Sequence, residues 1–383
     1  MGGTAPALRG GAMSMTYGGI AAPAAEADTP RSLPPGNGPG REAAQSEVRV
    51  AQGLGVRRSR ILGTGHYLPA KVVTNQELEK TVDTSDDWIS SRTGIRQRHV
   101  AAPDEASSDM ATKAAAHALE AAGIDAKQLD LIIIGTISPD MQLPATAMFV
   151  QRNLGTRPDC PGFDLAAACA GFIYGLSVAD AYVRSGMADH VLVVGVELLS
   201  RVVDWSDRNT CVLFGDGAGA VVVGPSEDPT RGILSTHLFA DGSQIESLYI
   251  PAGGTRTPIT HELLERREHL VHMSGKEVFK YAVKALSASS ETAMKANGIA
   301  PDQVDWLIPH QANLRIIEAV LQRSGIPRER CFINIDRTAN TSSASVPIAL
   351  DQAVRTGNIQ PHQTLLFCAL GGGFAWGSAA VRW

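Results

Sequence analysis

The sequence predicts an α/β fold made of two duplicated halves, on three observations. From Ser59 onward, short β-branched runs such as Leu131-Ile132-Ile133-Ile134-Gly135 and Val191-Leu192-Val193-Val194-Gly195 alternate with helical patterns. The runs are short and continuous, as buried strands require. The block Ala122-Gly123-Ile124-Asp125-Ala126-Lys127-Gln128-Leu129-Asp130-Leu131-Ile132 recurs as Asn297-Gly298-Ile299-Ala300-Pro301-Asp302-Gln303-Val304-Asp305-Trp306-Leu307. Its Gly, Gln and Asp positions keep one offset, since 298 − 123, 303 − 128 and 305 − 130 each give 175. Farther on, Tyr182-Val183-Arg184-Ser185-Gly186 is echoed by Ala353-Val354-Arg355-Thr356-Gly357, each followed by an apolar run. Elements repeated in matching order indicate duplication. Alternating strands and helices predict helices layered with mainly parallel sheets.

In chain order, residues 1–57 come first. They are rich in Gly, Ala and Pro, lack apolar periodicity, and are expected to form a disordered extension. No continuous apolar stretch marks a signal peptide there, and Glu26, Asp28, Glu42 and Glu47 argue against a transit peptide. Residues 58–228 form the first half. Its Ala-rich helix over Asp109–Ala122 takes Ser108 as N-cap and Gly123 as stop, then leads through a turn into the strand at 131–135. A helix is predicted over Gly171–Arg184, with the strand at 191–195 after it. The seam falls near Gly224-Pro225-Ser226-Glu227-Asp228-Pro229, and residues 229–383 repeat the scheme with the strand Trp306-Leu307-Ile308, a helix over Ser345–Arg355 and the strand Leu365-Leu366-Phe367.

Composition narrows the function. At 383 residues, 44% hydrophobic and 19% charged, the chain is an ordinary globular protein with a large core. A formal net charge of −5 argues against a nucleic-acid partner. Five cysteines without C-x-x-C fit a reducing cytoplasm, and no apolar run is long enough for a membrane span.

Three positions then carry chemistry. Cys169 lies in Asp164-Leu165-Ala166-Ala167-Ala168-Cys169-Ala170-Gly171-Phe172, just before a helix. Small neighbours leave room for a substrate, and a helix N-terminus is expected to lower the thiol pKa. His310 follows a strand in Pro309-His310-Gln311-Ala312-Asn313, and Asn340 sits in a polar small-residue loop, Ala339-Asn340-Thr341-Ser342. A thiolate holds an acyl group as a thioester, and His and Asn bind the oxyanion or enolate that such chemistry makes. Cys169 and Asn340 occupy roughly equivalent places in the two halves, so a pseudo-twofold packing brings them together. The plainer readings are a buried structural cysteine and a core histidine. Gly371-Gly372-Gly373 is either a tight turn or a place where an amide points at an oxyanion. Gly215-Asp216-Gly217-Ala218-Gly219 is not a dinucleotide loop, because Ala220-Val221-Val222-Val223 after it reads as strand; it is read as tight packing. His261, Glu262, Glu265, His269 and His272 are read as a solvated charged segment, not a metal site.

Taken together, the cysteine block, Phe214–Ala220, Pro309–Asn313, Asn340–Ser342 and Gly371–Gly377 resemble β-ketoacyl-acyl-carrier-protein synthase III of the thiolase superfamily, over about Ser59 to Trp383. The resemblance implies the thiolase-like five-layer α-β-α-β-α fold, a homodimer, and a transferase of fatty acid biosynthesis that condenses an acyl-CoA primer with malonyl-acyl-carrier protein. It implies Cys169 as nucleophile with His310 and Asn340, an oxyanion hole from the amides of Cys169 and Gly372, and no cofactor or metal. It implies coenzyme A contacts from Trp88, Arg92, Arg208 and Asn313, and carrier-protein contacts from Lys280, Arg315 and Arg323, which also read as ordinary solvated cations. Three positions depart from the family. Ala339 stands where Gly is usual, Leu143 where Phe is frequent in a stretch that reaches the partner's acyl pocket, and Leu370 where Phe is common. Leu143 is therefore expected to govern primer choice. The competing activities are a specialised acyltransferase or quinolone-type synthase on the same scaffold, and a non-catalytic acyl-binding paralogue. A papain-like hydrolase lacks support, since its cysteine signature is missing.

Overall fold

The structure, a computed structural model, describes residues 57–383. The extension expected over 1–57 lies outside the described residues apart from its last one. Two sheets carry the architecture. The first has five strands in the order Ser59–Tyr67, Gly217–Pro225, Val191–Glu197, Leu131–Gly135, Gly162–Leu165. The second has four, in the order Trp306–Pro309, Thr364–Gly371, Ala375–Arg382, Gly232–Ala240.

Helices Ser107–Ala122 and Thr146–Leu154 cover the outer face of the first sheet. Gly171–Arg184 and Ser345–Arg355 lie between the sheets, touching both. Gly275–Ala296 covers the outer face of the second, with Leu314–Ser324 packed on it. This is the five-layer α-β-α-β-α order. Each interface has its own apolar core. The central one joins Phe172, Ile173 and Leu176 to Val346, Leu350 and Phe367. The strand Leu131–Gly135 is buried along its whole length, as its unbroken β-branched run requires.

The echoed glycines end equivalent helices in the same way. Gly123 and Gly298 adopt φ of 67° and 61°, and Gly186 and Gly357 adopt 75° and 74°. This left-handed conformation frees the chain to leave the helix and enter the next strand.

Two expectations need correction. The sheets are mixed. In the five-stranded sheet only the pairings of Leu131–Gly135 with its two neighbours are parallel, and in the four-stranded sheet only Trp306–Pro309 with Thr364–Gly371. The antiparallel members arise because Gly217–Pro225 and Ala375–Arg382 return directly beside the strand that precedes them in the sheet. The Ala-rich helix begins at Ser107 with Ala106 at its N-cap, and Ser108 lies in the first turn. There Ser108 serves the loop instead: its Oγ donates to Asp140 at 2.6 Å.

Candidate active site

Cys169 is the middle residue of a single helical turn, Ala168–Ala170, between the strand Gly162–Leu165 and the central helix that starts at Gly171. In the second half the turn Ser342–Ala344 stands in the same place before Ser345–Arg355. The positional counterpart of Cys169 is therefore Ser343, and Asn340 precedes it by three residues. The backbones agree: Ala168 has φ of 44° and Ser342 has φ of 49°.

Glycines seat these two turns reciprocally. A methyl added at Gly371, in the second sheet, would lie 2.5 Å from the Cys169 amide nitrogen. A methyl added at Gly195, in the first sheet, would lie 2.2 Å from the Ser343 carbonyl oxygen. Neither approach tolerates a side chain. Gly219 is likewise filled by the backbone of Pro347 and Ile348, so the Gly215–Gly219 run serves close packing, with strand following as expected.

Asn340 is held by backbone bonds on both sides, its amide donating to Leu213 O at 3.0 Å and its carbonyl accepting from Gly215 N at 3.0 Å. Its Oδ1 accepts from the Ser342 amide at 2.8 Å, which leaves Nδ2 as the available donor. Ala339 before it has φ of 56° and ψ of −161°, a conformation that belongs almost wholly to glycine. His310 directly follows the strand Trp306–Pro309, and its amide donates to Cys368 O at 2.7 Å. Its Nδ1 lies 2.6 Å from Ser345 Oγ. That oxygen also accepts from the Gln311 amide at 3.4 Å, and we assign its hydrogen to Nδ1, which puts the ring proton on Nε2.

Cys169, His310 and Asn340 line one cavity of about 130 Å³, together with Asn313 and Leu370. A second, apolar cavity of about 300 Å³ meets the first at Cys169 and is lined by Ile137, Leu199, Val271 and Gly372. Burial dominates the electrostatics of the site. Burial pushes the Cys169 thiol up to about 12, and the nearby charge of Glu197 adds to this against a hydrogen bond with Ser342. This corrects the expected lowering: the dipole of the following helix is outweighed by burial. Burial lowers His310 to about 3, so its ring stays neutral.

The remaining residues fall into three places. Both Arg92 and Arg208 lay their guanidinium groups on the Trp88 ring, 4.7 and 5.0 Å from its centre. The helix Asp86–Thr93 that carries Trp88 and Arg92 packs on Leu314–Ser324, whose N-cap is Asn313. Trp88 and the first cavity are thus joined through one helix end. Lys280 and Arg315 are exposed beside the cavity residues Phe279 and Asn313, whereas Arg323 is at the far end of its helix and lines a different cleft. Leu143 is 84% exposed and lines neither cavity of its own chain. The His261–His272 segment contains one short helix, His261–Glu265, with exposed ion pairs such as Arg266–Glu262 at 3.7 Å. Ser342, Ser345 and Glu197 were not singled out by the sequence. Ser342 stood inside the quoted Asn340-Thr341-Ser342 motif, and Glu197 stood out only as an acid ending an apolar strand.

The family model described as 3-oxoacyl-[acyl-carrier-protein] synthase III matches residues 163–242, and the one for its C-terminal part matches 294–383. A protein of Xanthomonas campestris pv. campestris named β-ketoacyl-[acyl-carrier-protein] synthase III is 55% identical over 325 residues, covering 85% of this chain and 98% of that one. The chain belongs to the β-ketoacyl-acyl-carrier-protein synthase III family. A relative of the same name from Caldanaerobacter subterraneus subsp. tengcongensis is 50% identical over 323 residues, covering 84% of this chain and 97% of its own. The crystal structure of 3-oxoacyl-[acyl-carrier-protein] synthase III from Aquifex aeolicus VF5 superposes with a TM-score of 0.79 at 45% identity, over 85% of this chain and all of that one. Among the described residues no helix is long and apolar enough to cross a membrane.

Proposed function

We propose that this protein joins an acyl group from coenzyme A to malonyl-acyl-carrier protein by a decarboxylating Claisen condensation, the step that initiates fatty acid synthesis. The observation that carries the reading is the single cavity that Cys169, His310 and Asn340 line together. Cys169 attacks the primer thioester, and the amides of Cys169 and Gly372 receive the charge that develops on its oxygen. Coenzyme A leaves and the malonyl thioester enters. His310 Nε2 and Asn340 Nδ2 donate to its carbonyl and stabilise the enolate as carbon dioxide departs. The enolate carbon attacks the acyl-cysteine, and expulsion of the Cys169 sulfur gives the β-ketoacyl-carrier protein. A neutral His310 suits this role, because it donates a hydrogen bond without titrating at working pH. The chemistry as written requires no metal or redox cofactor.

The apolar cavity beside Cys169 suits the primer's acyl chain. Trp88 with Arg92 and Arg208 suits an adenine with its phosphates, aromatic face and cations together, and Asn313 borders the path inward. Lys280 and Arg315 suit an acidic carrier protein; Arg323 fits this less well, because it lies away from the cavity mouth. The exposure of Leu143 suits a homodimer in which it reaches the partner's acyl pocket. We assign residues 58–228 and 229–383 as the two thiolase-like halves, and the cytoplasm as the site of action. The relatives' shared name favours malonyl-carrier protein over the acceptors of a specialised acyltransferase.

The test is a panel of acetyl-, longer and branched acyl-CoA primers with malonyl-carrier protein, following the mass of the Cys169 peptide and of the product. Wild type should show an acyl adduct on Cys169 and a β-ketoacyl-carrier protein. Cys169→Ser should show neither, since an alcohol is a far poorer nucleophile at neutral pH. Near wild-type turnover in a folded Cys169→Ser protein would refute the assignment.

A further inference from the structure

Arg98, on the short strand Gln97–Val100, is the largest fully buried side chain among the described residues, and the reaction proposed above gives it no part. Its acceptors are neutral oxygens. Nη1 donates to Asn75 Oδ1 at 2.8 Å and to Val73 O at 3.4 Å, and Nη2 donates to Val212 O at 2.7 Å. Burial lowers its pKa to about 10, so the guanidinium stays charged at working pH. A cation withdrawn from water without a carboxylate is costly, and an apolar side chain of similar length would fill the same space. What the guanidinium adds is a rigid fork of donors that holds separate segments at once.

Both segments lead to the residues proposed for coenzyme A. Asn75 passes the hold to the helix Asp86–Thr93, which carries Trp88 and Arg92. Its Nδ2 donates to Asp86 Oδ1 at 2.7 Å and to Ile95 O at 2.8 Å, so it grips the helix at its first residue and just beyond its last. Val212 belongs to a compact turn that starts at Asp207. The Asp207 carbonyl accepts from the Thr210 and Cys211 amides at 3.1 and 3.0 Å, and the Leu213 amide donates to Thr210 O at 3.0 Å. Arg208 lies in that turn and reaches the other segment: its Nη1 donates to Asp83 O at 2.9 Å, and its guanidinium carbon lies 5.0 Å from the centre of the Trp88 ring. The Arg92 contact with Trp88 is internal to one helix, at i, i+4 spacing. The Arg208 contact spans two stretches of chain, and one buried cation ties those stretches together.

We propose that Arg98 is a positioning residue for coenzyme A: by holding Asn75 and Val212 together it fixes the helix Asp86–Thr93 against the 207–213 turn, and so keeps Arg208 on the Trp88 ring. Arg98 is buried and does not itself meet the ligand.

The inference rests on the reading of Trp88, Arg92 and Arg208 as the coenzyme A contacts. It is tested by the concentration dependence of Cys169 acylation in a single turnover, read by mass, with acetyl-CoA and with acetyl-pantetheine, which has the same thioester arm without the nucleotide. Arg98→Lys keeps a cation but loses the fork. It should raise the half-saturating acetyl-CoA concentration roughly 5- to 30-fold, the worth of one cation displaced from an aromatic face. With acetyl-pantetheine its rate should stay within about twofold of wild type, since only binding through the nucleotide is lost. Asn75→Ala should behave alike with Arg98 in place. A loss that falls equally on both substrates would overturn the proposal and leave Arg98 as scaffold, because a loosened fold does not discriminate between them; an unchanged half-saturation for acetyl-CoA would overturn it too. If Arg98→Lys does not fold, Asn75→Ala decides alone. Trp88→Ala separates the inference from the reading beneath it. If that variant leaves half-saturation by acetyl-CoA unchanged, the coenzyme A assignment fails and the inference with it. If it raises half-saturation while the Arg98 and Asn75 variants do not, only the role of Arg98 falls.

Discussion

Gly371→Ala places one methyl group where the two halves meet at the nucleophile. Its Cβ would lie 2.5 Å from the Cys169 amide nitrogen, 2.7 Å from Ala168 Cβ and 2.8 Å from Ala167 O. Ordinary van der Waals contact begins near 3.4 Å, so about 1 Å of separation must be found. Little of it can come from flexible side chains, because two of the three atoms are backbone and the third is the first carbon of an alanine. A 1 Å shift carries an amide donor from about 2.9 Å to about 3.9 Å from an oxyanion, beyond hydrogen-bonding range. Losing one such donor costs roughly 2.7–4 kcal/mol in the transition state, or about 10²–10³ in rate. Overpacking should cost about 1–3 kcal/mol of stability in addition. The assay is Cys169 acylation in a single turnover, alongside thermal unfolding. The expected result is a folded protein with slightly lowered Tm and acylation reduced at least about 100-fold. Acylation within about threefold of wild type, in a protein with lowered Tm, would show that the clash is absorbed elsewhere and that the Cys169 amide does not serve the oxyanion.

Three further outcomes are expected. His310→Ala and Asn340→Ala should each reduce malonyl decarboxylation by about 10²–10³ while slow acylation of Cys169 persists, since each removes one donor to the enolate; unchanged decarboxylation in both would refute the two-donor arrangement. Leu143→Phe should shift relative kcat/KM toward acetyl-CoA by roughly 5- to 100-fold, from a packing penalty of about 1–3 kcal/mol that falls on longer primers; an unchanged chain-length profile in a folded protein of unchanged oligomeric state would confine Leu143 to packing. Asp351, on the central helix Ser345–Arg355, is buried, but bonds from His66, from Thr64 Oγ1 at 2.6 Å and from Arg355 at 2.7 Å outweigh burial and hold its carboxyl below the usual value. A depressed carboxyl stabilises the fold above its unfolded value near pH 4 and loses that effect as pH falls through the folded value. Asp351→Ala should therefore cost about 3 kcal/mol at pH 7, and denaturant unfolding should show the gap to wild type narrowing toward pH 3; a gap independent of pH would refute the charge argument.

Much of this molecule was legible because its signals are local. Gly123 and Gly298 end their helices where the repeat placed them, and Cys169, His310 and Asn340 stand at element ends readable from periodicity alone. What escaped depends on distant partners. Strand direction is set by where a chain returns, and Val191–Glu197 carries no mark that Gly217–Pro225 will run against it. The helix N-terminus beside Cys169 is visible in sequence, whereas the burial that raises the thiol pKa is not. Glu197 accepts a hydrogen bond from Ser342, 145 residues away, which neither position shows in sequence. Ala339 departs from the family visibly in sequence, yet only the fold reveals that it holds a glycine-like conformation immediately before Asn340.

The mutual seating of Cys169 on Gly371 and of Ser343 on Gly195 also sets a timetable for synthesis. The cysteine turn leaves the ribosome 202 residues before the strand that completes its surroundings. At about 5–20 residues per second, roughly 10–40 s separate the two events. Throughout that interval the nascent chain carries its nucleophile without a complete second sheet, and the His310 and Asn340 loops follow Cys169 only after 141 (310 − 169) and 171 (340 − 169) residues. The finished cavity appears only when nearly the whole polypeptide has emerged. A chain arrested early is thereby born without the means to capture acyl groups that it could not pass on.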